Sequence, residues 1–298
     1  MKIGLGLLFV QQMSFKPEVL TWIAESAEEL GFESVWAPDH VVIPTEYQTR
    51  YPYSETGKLP NSETDDWPDP MVALGCVAGV TKRIKLGTCV TILPYHHPLE
   101  LGKQWATLDV ISNGRAILGV GSGWLKEEFD ALGLDFHQRG ARTDESIEAM
   151  RAMWCDEIST FKGKHFSFER VRANPKPIQK GGVPIFVGGH SPRAARRAAR
   201  YGNGFFPVGT MDEIEMAFRL MRAECDRIGR NPDEIELMVA FADPTTYDAP
   251  TVPDTLKRYA DLGITRTLFP FSFAVTAQSR EGMKTGLGKL ADSVIARQ

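Results

Sequence analysis

PIFVGGHSPRAARRAARY, residues 184–201, spells out a whole strand–loop–helix unit. Pro184–Val187 is a short apolar run of the kind that forms a buried strand. Two glycines then open the backbone, and Ser191 offers a side-chain oxygen as N-cap. Pro192 takes the first helical position, where its missing N–H has no partner to lose. Helix-forming residues continue to Tyr201, and Gly202 ends them.

The same unit recurs in both directions along the chain. Strand-like runs lie at Ile3–Phe9, Ser34–Pro38, Ile84–Leu93, Arg115–Val120, Pro184–Val187, Gly204–Val208, Ile235–Phe241 and Thr267–Phe273. Helix-like stretches lie between them at Pro17–Leu30, Pro70–Val80, Pro98–Ile111, Thr143–Trp154, Pro192–Tyr201, Met211–Ile228 and Pro253–Leu262, with a last one from Ala277. Pro17, Pro70, Pro98 and Pro253 repeat the first-turn signal, and Gly31, Gly229 and Gly263 repeat the stop. Eight strand–helix pairs in 298 residues predict an α/β fold, a (β/α)8 TIM barrel forming a single domain over residues 1–298. Two insertions interrupt it. Val41–Asp69, after strand two, is rich in Tyr, Pro and acidic residues and reads as a lid or substrate-pocket loop. Ser159–Gly182, before strand five, carries the alternating HFSFERV and reads as a small β excursion.

Composition narrows the function. A net charge of -4 and a pI near 5.9 supply no basic field for nucleic acid or an anionic membrane. No run approaches the ~18 apolar residues of a membrane span, and Met1–Val10 lacks a signal-peptide cleavage pattern. Cys76, Cys89, Cys155 and Cys225 form no CxxC pair, so reduced thiols and a cytoplasmic location are expected.

In such a barrel the chemistry sits just past the C-terminal ends of the strands. WAPDH puts Asp39 and His40 there, an acid/base candidate that competes with a structural Asp–His turn. LGTCVTILPYHHP places the small residues Thr88 and Cys89 inside strand three; a close ligand approach is one account of them, but on the residues alone simple core packing is preferred. His96 and His97 are adjacent in a loop with no acidic ligand at suitable spacing, so no metal site is expected. GVGSGWLKEEF opens the backbone at Gly119, Gly121 and Gly123 beside Ser122, but lacks P-loop or dinucleotide spacing. VGGHSPRAARRAAR joins open amides, the Ser191 hydroxyl, a helix N-terminus and Arg193, Arg196, Arg197 and Arg200, which together suit a phosphate. A capped helix with a solvated basic face is the alternative, over which the phosphate site is favoured.

Taken in order, WAPDH, LGTCVTILPYHHP, GVGSGWLKEEFDALG, RGARTDE and VGGHSPRAARRAARYGNGFF resemble the luciferase-like monooxygenase superfamily, in particular its F420-dependent oxidoreductase branch, over nearly the whole chain. The resemblance implies that His40 acts as acid/base beside a deazaflavin, with Asp39 next to it. It implies a non-prolyl cis peptide at Cys89–Val90, forming a bulge behind the ring alongside Thr88. It implies that Gly119, Gly121, Ser122, Gly123 and Trp124 line the cofactor, and that Gly188, Gly189, His190 and Ser191 hold phosphate. Sugar-phosphate dehydrogenases of the branch carry a proton-donating glutamate where this chain has Trp124, and a helix starting at Trp124 leaves Glu127 and Glu128 free to face solvent.

The leading expectation is therefore an F420-dependent oxidoreductase moving hydride to or from a small or medium organic substrate. One alternative is an FMN-dependent monooxygenase using O2 and reduced flavin from a partner reductase. The other is a non-redox barrel binding a phosphorylated ligand. Trp124 and Phe271 are expected in the substrate pocket. Pro70–Val80 is apolar enough for either a homodimer interface or a buried helix.

Overall fold

A computed structural model of the chain describes residues 1–7, 15–54, 56–59, 65–241, 252–270 and 280–295. Its centre is a closed ring of parallel strands. β1 (Lys2–Gly6) pairs with β2 (Ser34–Ala37), and β2 pairs with β3 (Lys85–Thr88). β3 and the short β4 (Thr91–Ile92) both pair with β5 (Ala116–Gly121), as two halves of one barrel strand broken at a cis Cys89–Val90 peptide. A surface hairpin, β6 (Ser159–Lys162) and β7 (Ser167–Val171), intervenes in the chain. The ring then runs through β8 (Ile185–Gly188), β9 (Gly204–Phe206), β10 (Glu236–Ala240) and β11 (Arg266–Pro270), which pairs back onto β1 with Leu5 opposite Phe269.

Alternation along the strands separates two apolar layers. Trp36, Ile117, Phe186, Phe206, Met238 and Leu268 fill the inside. Val35, Leu86, Leu118, Ile185, Val187, Phe205 and Val239 point outward into the larger core shared with the helices. The helices are α1 (Pro17–Glu29), α2 (Pro70–Val80), α3 (Pro98–Ile111), α4 (Lys126–Ala131), α5 (Arg139–Cys155), α6 (Pro192–Tyr201), α7 (Met211–Ile228), α8 (Val252–Asp261) and α9 (Arg280–Val294). In α6 the alanine pairs Ala194–Ala195 and Ala198–Ala199 are buried, which seats the helix against the sheet and turns Arg193, Arg196 and Arg200 outward.

The ring is fastened at the end opposite the site. Arg115, 6% exposed, donates to the carbonyls of Ser112, Ala78, Thr81 and Ile84 and to Thr81 Oγ1, at 2.7–3.1 Å. Arg266, also buried, lies over the Trp36 and Phe186 rings and pairs with Glu33 at 2.8 Å. Arg115 meets four carbonyls and a hydroxyl, and Arg266 meets the Glu33 and Glu236 carboxylates, which offsets their desolvation.

Most predicted elements form, with four differences. Strand three is split rather than continuous. α5 begins at Arg139, four residues early, because Phe136–Gln138 makes a 3-10 turn that leads straight into it. The helix expected to start at Trp124 begins two residues later, as the short α4 at Lys126. α2 divides between the two readings, burying Ala73, Leu74, Val77 and Ala78 while Val72 remains 67% exposed. The HFSFERV excursion is the β6–β7 hairpin, held by Glu145, whose carboxylate accepts from the amides of Lys164, His165 and Phe166. Phe9, Phe271, Phe273, Ala277 and residues 55 and 60–64 of the first insertion lie outside the described residues. Among the described residues no helix is long and apolar enough to cross a membrane.

Candidate active site

The C-terminal strand ends, the first insertion and the N-termini of α5 and α6 enclose one cavity of about 1550 Å³. Of the predicted site residues, Asp39, His40, Cys89, Val90, Gly121, Ser122, Gly123, Trp124, Gly188, Gly189, His190 and Ser191 line it. Thr88 and Gly119 do not. Both are fully buried below the floor, where Thr88 Oγ1 donates to Gly119 O at 2.9 Å. A Cβ on Gly119 would stand 1.8 Å from Thr88 O, so their small size serves strand contact and not a ligand.

Val90 forms the platform at the cavity floor. The Cβ positions of Gly121 and Gly188 lie 2.6 and 2.8 Å from its two methyl groups, so the side chain rests on two bare glycines. Gly123 has φ +79°, and a Cβ there would strike Phe129 at 2.7 Å; only glycine passes both tests. Burial pushes the Cys89 thiol up to about 12, which leaves it a neutral packing group and no nucleophile.

His40 and Asp39 are not partners. Asp39 turns back, accepting from Ile92 N at 2.9 Å and pairing with His96 Nε2 at 2.9 Å. His97 instead accepts from Leu99 N as the cap of α3, so the two adjacent histidines point at different partners. Burial pulls the His96 pKa down, but the Asp39 carboxylate outweighs it and the net shift is upward. His40 Nδ1 lies 2.8 Å from Glu128 Oε2. Glu128 is 0% exposed, which corrects the expectation that it turns to solvent. The reason is helix register: α4 starts at Lys126, and Leu125, Glu128 and Phe129 share its inward face. The same carboxylate accepts from Val41 N, Val42 N and Tyr95 Oη at 2.8, 3.2 and 3.0 Å. Burial, then the charge of Glu128, raises the Tyr95 pKa, so the phenol stays a donor. Glu127 also faces inward, accepting from Gln48 N and Thr49 N.

Above His40 the first insertion builds an aromatic wall. Trp67 meets the imidazole edge-on at 5.0 Å, and Trp124 contacts Tyr47 and Tyr51 at 5.8 and 4.9 Å. Tyr53 continues the row to His190 at 5.4 Å. Desolvation raises the pKa of both Tyr51 and Tyr53, keeping their hydroxyls neutral. None of these tyrosines, nor Trp67 or Tyr95, was singled out from sequence, and Glu128 was placed toward solvent.

The opposite end of the cavity is cationic. Ser191 Oγ caps α6 by accepting from Ala194 N at 3.2 Å, and His190 Nδ1 is buried with no hydrogen-bond partner. Arg197 is taken by Asp144 and Gly140 O, and Arg200 by Glu224. Arg193 and Arg196 have no ion pair among the described residues. Arg139 lies over the Phe136 ring at 3.7 Å, its pKa lowered by burial and then by the like charge of Arg193. Among the described residues no group of His, Cys, Asp and Glu has the arrangement of a metal site.

The chain is similar in sequence and in fold to known proteins. An uncharacterised protein of Mycobacterium tuberculosis is 33% identical over 264 residues, covering 88% of this chain and 89% of its own. An F420-dependent glucose-6-phosphate dehydrogenase of Amycolatopsis mediterranei is 33% identical over 195 residues, 64% of this chain and 53% of its own. The crystal structure of a Streptomyces bottropensis monooxygenase superposes with a TM-score of 0.78 at 22% identity, covering 100% and 99% of the two chains. The sequence signature of the luciferase-like monooxygenase family matches residues 1–245, and with it the barrel, the bulge and the strand-end residues find one explanation: the chain belongs to that family of oxidoreductases.

Proposed function

We propose that the protein is an F420-dependent oxidoreductase acting on a small or medium uncharged organic substrate. The observation that carries this reading is the division of a single cavity into a proton-handling end at His40 and a cationic end at α6, with the Val90 platform between them. A flat ring with an anionic tail fits these residues. The two glycines let Val90 sit low in the floor, the buried His190 Nδ1 lacks a partner, and Arg193 and Arg196 carry charge that no described carboxylate neutralises. The F420-dependent relative supports the deazaflavin over other flat rings.

When bound, a deazaflavin supplies a two-electron hydride donor or acceptor at its C5 position. The Gly188–Ser191 turn and the free arginines would hold the anionic tail, and Val90 with Gly121 would support the ring. The chain's own work is orientation, exclusion of water and proton handling. The insertion closes the cavity with Trp67, Tyr51 and Tyr53, and a dry site strengthens each polar contact made within it. His40 Nε2 has no partner among the described residues, so it is free to take a proton from a substrate hydroxyl or return one to a carbonyl oxygen.

The test is His40→Ala. Cofactor affinity is expected to stay within about twofold of wild type while turnover falls roughly 10²-fold or more, the usual contribution of one acid/base group. Full turnover in a variant that binds cofactor normally would remove His40 from the chemistry.

A further inference from the structure

Glu128 divides its two oxygens between two tasks. Oε1 accepts from the amides of Val41 and Val42, the first residues of the insertion that covers the cavity. Oε2 meets His40 Nδ1 and the Tyr95 hydroxyl. The carboxylate is wholly buried, and its neighbour Glu127 takes two further insertion amides, Gln48 and Thr49. α4 therefore bolts the covering loop and the imidazole to the same short helix.

An ionised carboxylate only accepts hydrogen bonds, so the ring nitrogen facing it must carry a proton. In a neutral imidazole the other nitrogen is then a bare acceptor. We infer that Glu128 is a positioning residue: it holds His40 as the Nδ1–H tautomer, aims the Nε2 lone pair into the cavity, and ties that state to a docked loop. The inference rests on His40 as the proton-handling group, and not on which flat cofactor is bound. In the oxidative direction a substrate O–H bond breaks and an N–H bond forms at Nε2. The electron pair leaves the substrate carbon as hydride to the two-electron acceptor, and the charge arriving on the ring sits 2.8 Å from a carboxylate. In reverse, the Nε2 proton returns to the oxygen.

Two variants separate the tasks. In Glu128→Gln the amide oxygen satisfies Val41 and Val42 while its NH2 faces His40 Nδ1, so the loop stays docked and the tautomer flips to Nε2–H. Glu128→Ala removes both supports.

The experiment is long-range proton–nitrogen NMR on protein labelled with ¹⁵N-histidine, without cofactor or substrate, at pH 8.5. The chain has only six histidines, and His40→Asn identifies the resonances by their loss. Nδ1–H in wild type and Nε2–H in Glu128→Gln is the expected pair of spectra. Wild-type Nε2–H, a ring still charged at that pH, or an unchanged tautomer in Glu128→Gln overturns the assignment. Because cofactor is absent, this outcome is independent of whether F420 is the right ligand. Tryptic cleavage after Arg50 and Lys58 reads the second task. It is expected to accelerate about tenfold in Glu128→Ala and not in Glu128→Gln, and equal rates in all three proteins would disprove the coupling to the loop. With a substrate in hand, Glu128→Gln should lower kcat by about 10²-fold and leave KM nearly unchanged.

Discussion

Adding one methyl group beneath Val90 is expected to disturb the cavity floor by a calculable amount. In Gly121→Ala the new Cβ stands 2.6 Å from Val90 Cγ2, where ordinary contact begins at 3.4 Å, a shortfall of 0.8 Å. Val90 has little freedom to relieve this by swinging, because a β-branched side chain is stiff at χ1. The displacement therefore goes up, into the space over the platform. Overpacking of this size costs about 1–3 kcal/mol, and if it falls on the bound state it weakens ligand binding about 5- to 150-fold. The assay is a fluorescence titration of cofactor into wild type, Gly121→Ala, Val90→Ala and the double variant, with urea unfolding of the free proteins alongside. Val90→Ala removes the methyl that collides, so the double variant should recover most of the affinity that Gly121→Ala loses. The cycle then shows a coupling of at least about 1 kcal/mol. Unchanged affinity in Gly121→Ala, or additive losses in the double variant, would refute Val90 as the platform.

Arg115→Met deletes five hydrogen bonds at the far end of the barrel and should destabilise it by about 3 kcal/mol in urea unfolding; a loss under about 1 kcal/mol would make the clasp dispensable. The pair between His96 and Asp39 raises the His96 pKa, with Asp69 and Glu100 adding to the effect, so its stabilisation is full below the unfolded imidazole value of about 6.5 and is lost as pH rises through the folded value. His96→Gln should accordingly lower the thermal midpoint more at about pH 5.5 than at about pH 8.5, and an equal drop at both would show the pair to be uncharged. Replacing both Arg193 and Arg196 with Gln should weaken cofactor binding about tenfold at low salt, with the difference closing near about 0.5 M salt as screening takes over. A salt-independent loss would point to packing rather than charge.

Much of the barrel was legible because strand and helix signals are local. Ser191, Pro192 and Gly202 mark α6 without reference to anything distant, and its alanine pairs name its buried face. The residues at strand ends follow from topology alone, which is why Asp39, His40, Gly121 and Ser191 appear together in one cavity. What stayed hidden depends on distance in the chain. Glu128 reaches His40 across 88 positions, and nothing near His40 announces it. A signal existed in the inward face of α4, where Leu125 and Phe129 repeat at four and Glu128 falls beside them. Asp39 looked like the partner of its neighbour His40, yet adjacent side chains at a turn diverge, and His96 captured it instead. Thr88 and Gly119 share the composition of ligand-contacting residues, but smallness serves a close strand contact equally well. The aromatic wall comes from an insertion whose path no periodicity encodes.

A deazaflavin is the cofactor proposed for this cavity. The most direct test of that proposal is a parallel titration of the purified protein with oxidised F420 and with FMN, following fluorescence quenching. Saturable F420 binding, at least about tenfold tighter than FMN and weakened when Arg193 and Arg196 are replaced, is the predicted result. Tighter binding of FMN, or binding of neither, would contradict the account while leaving the barrel as described.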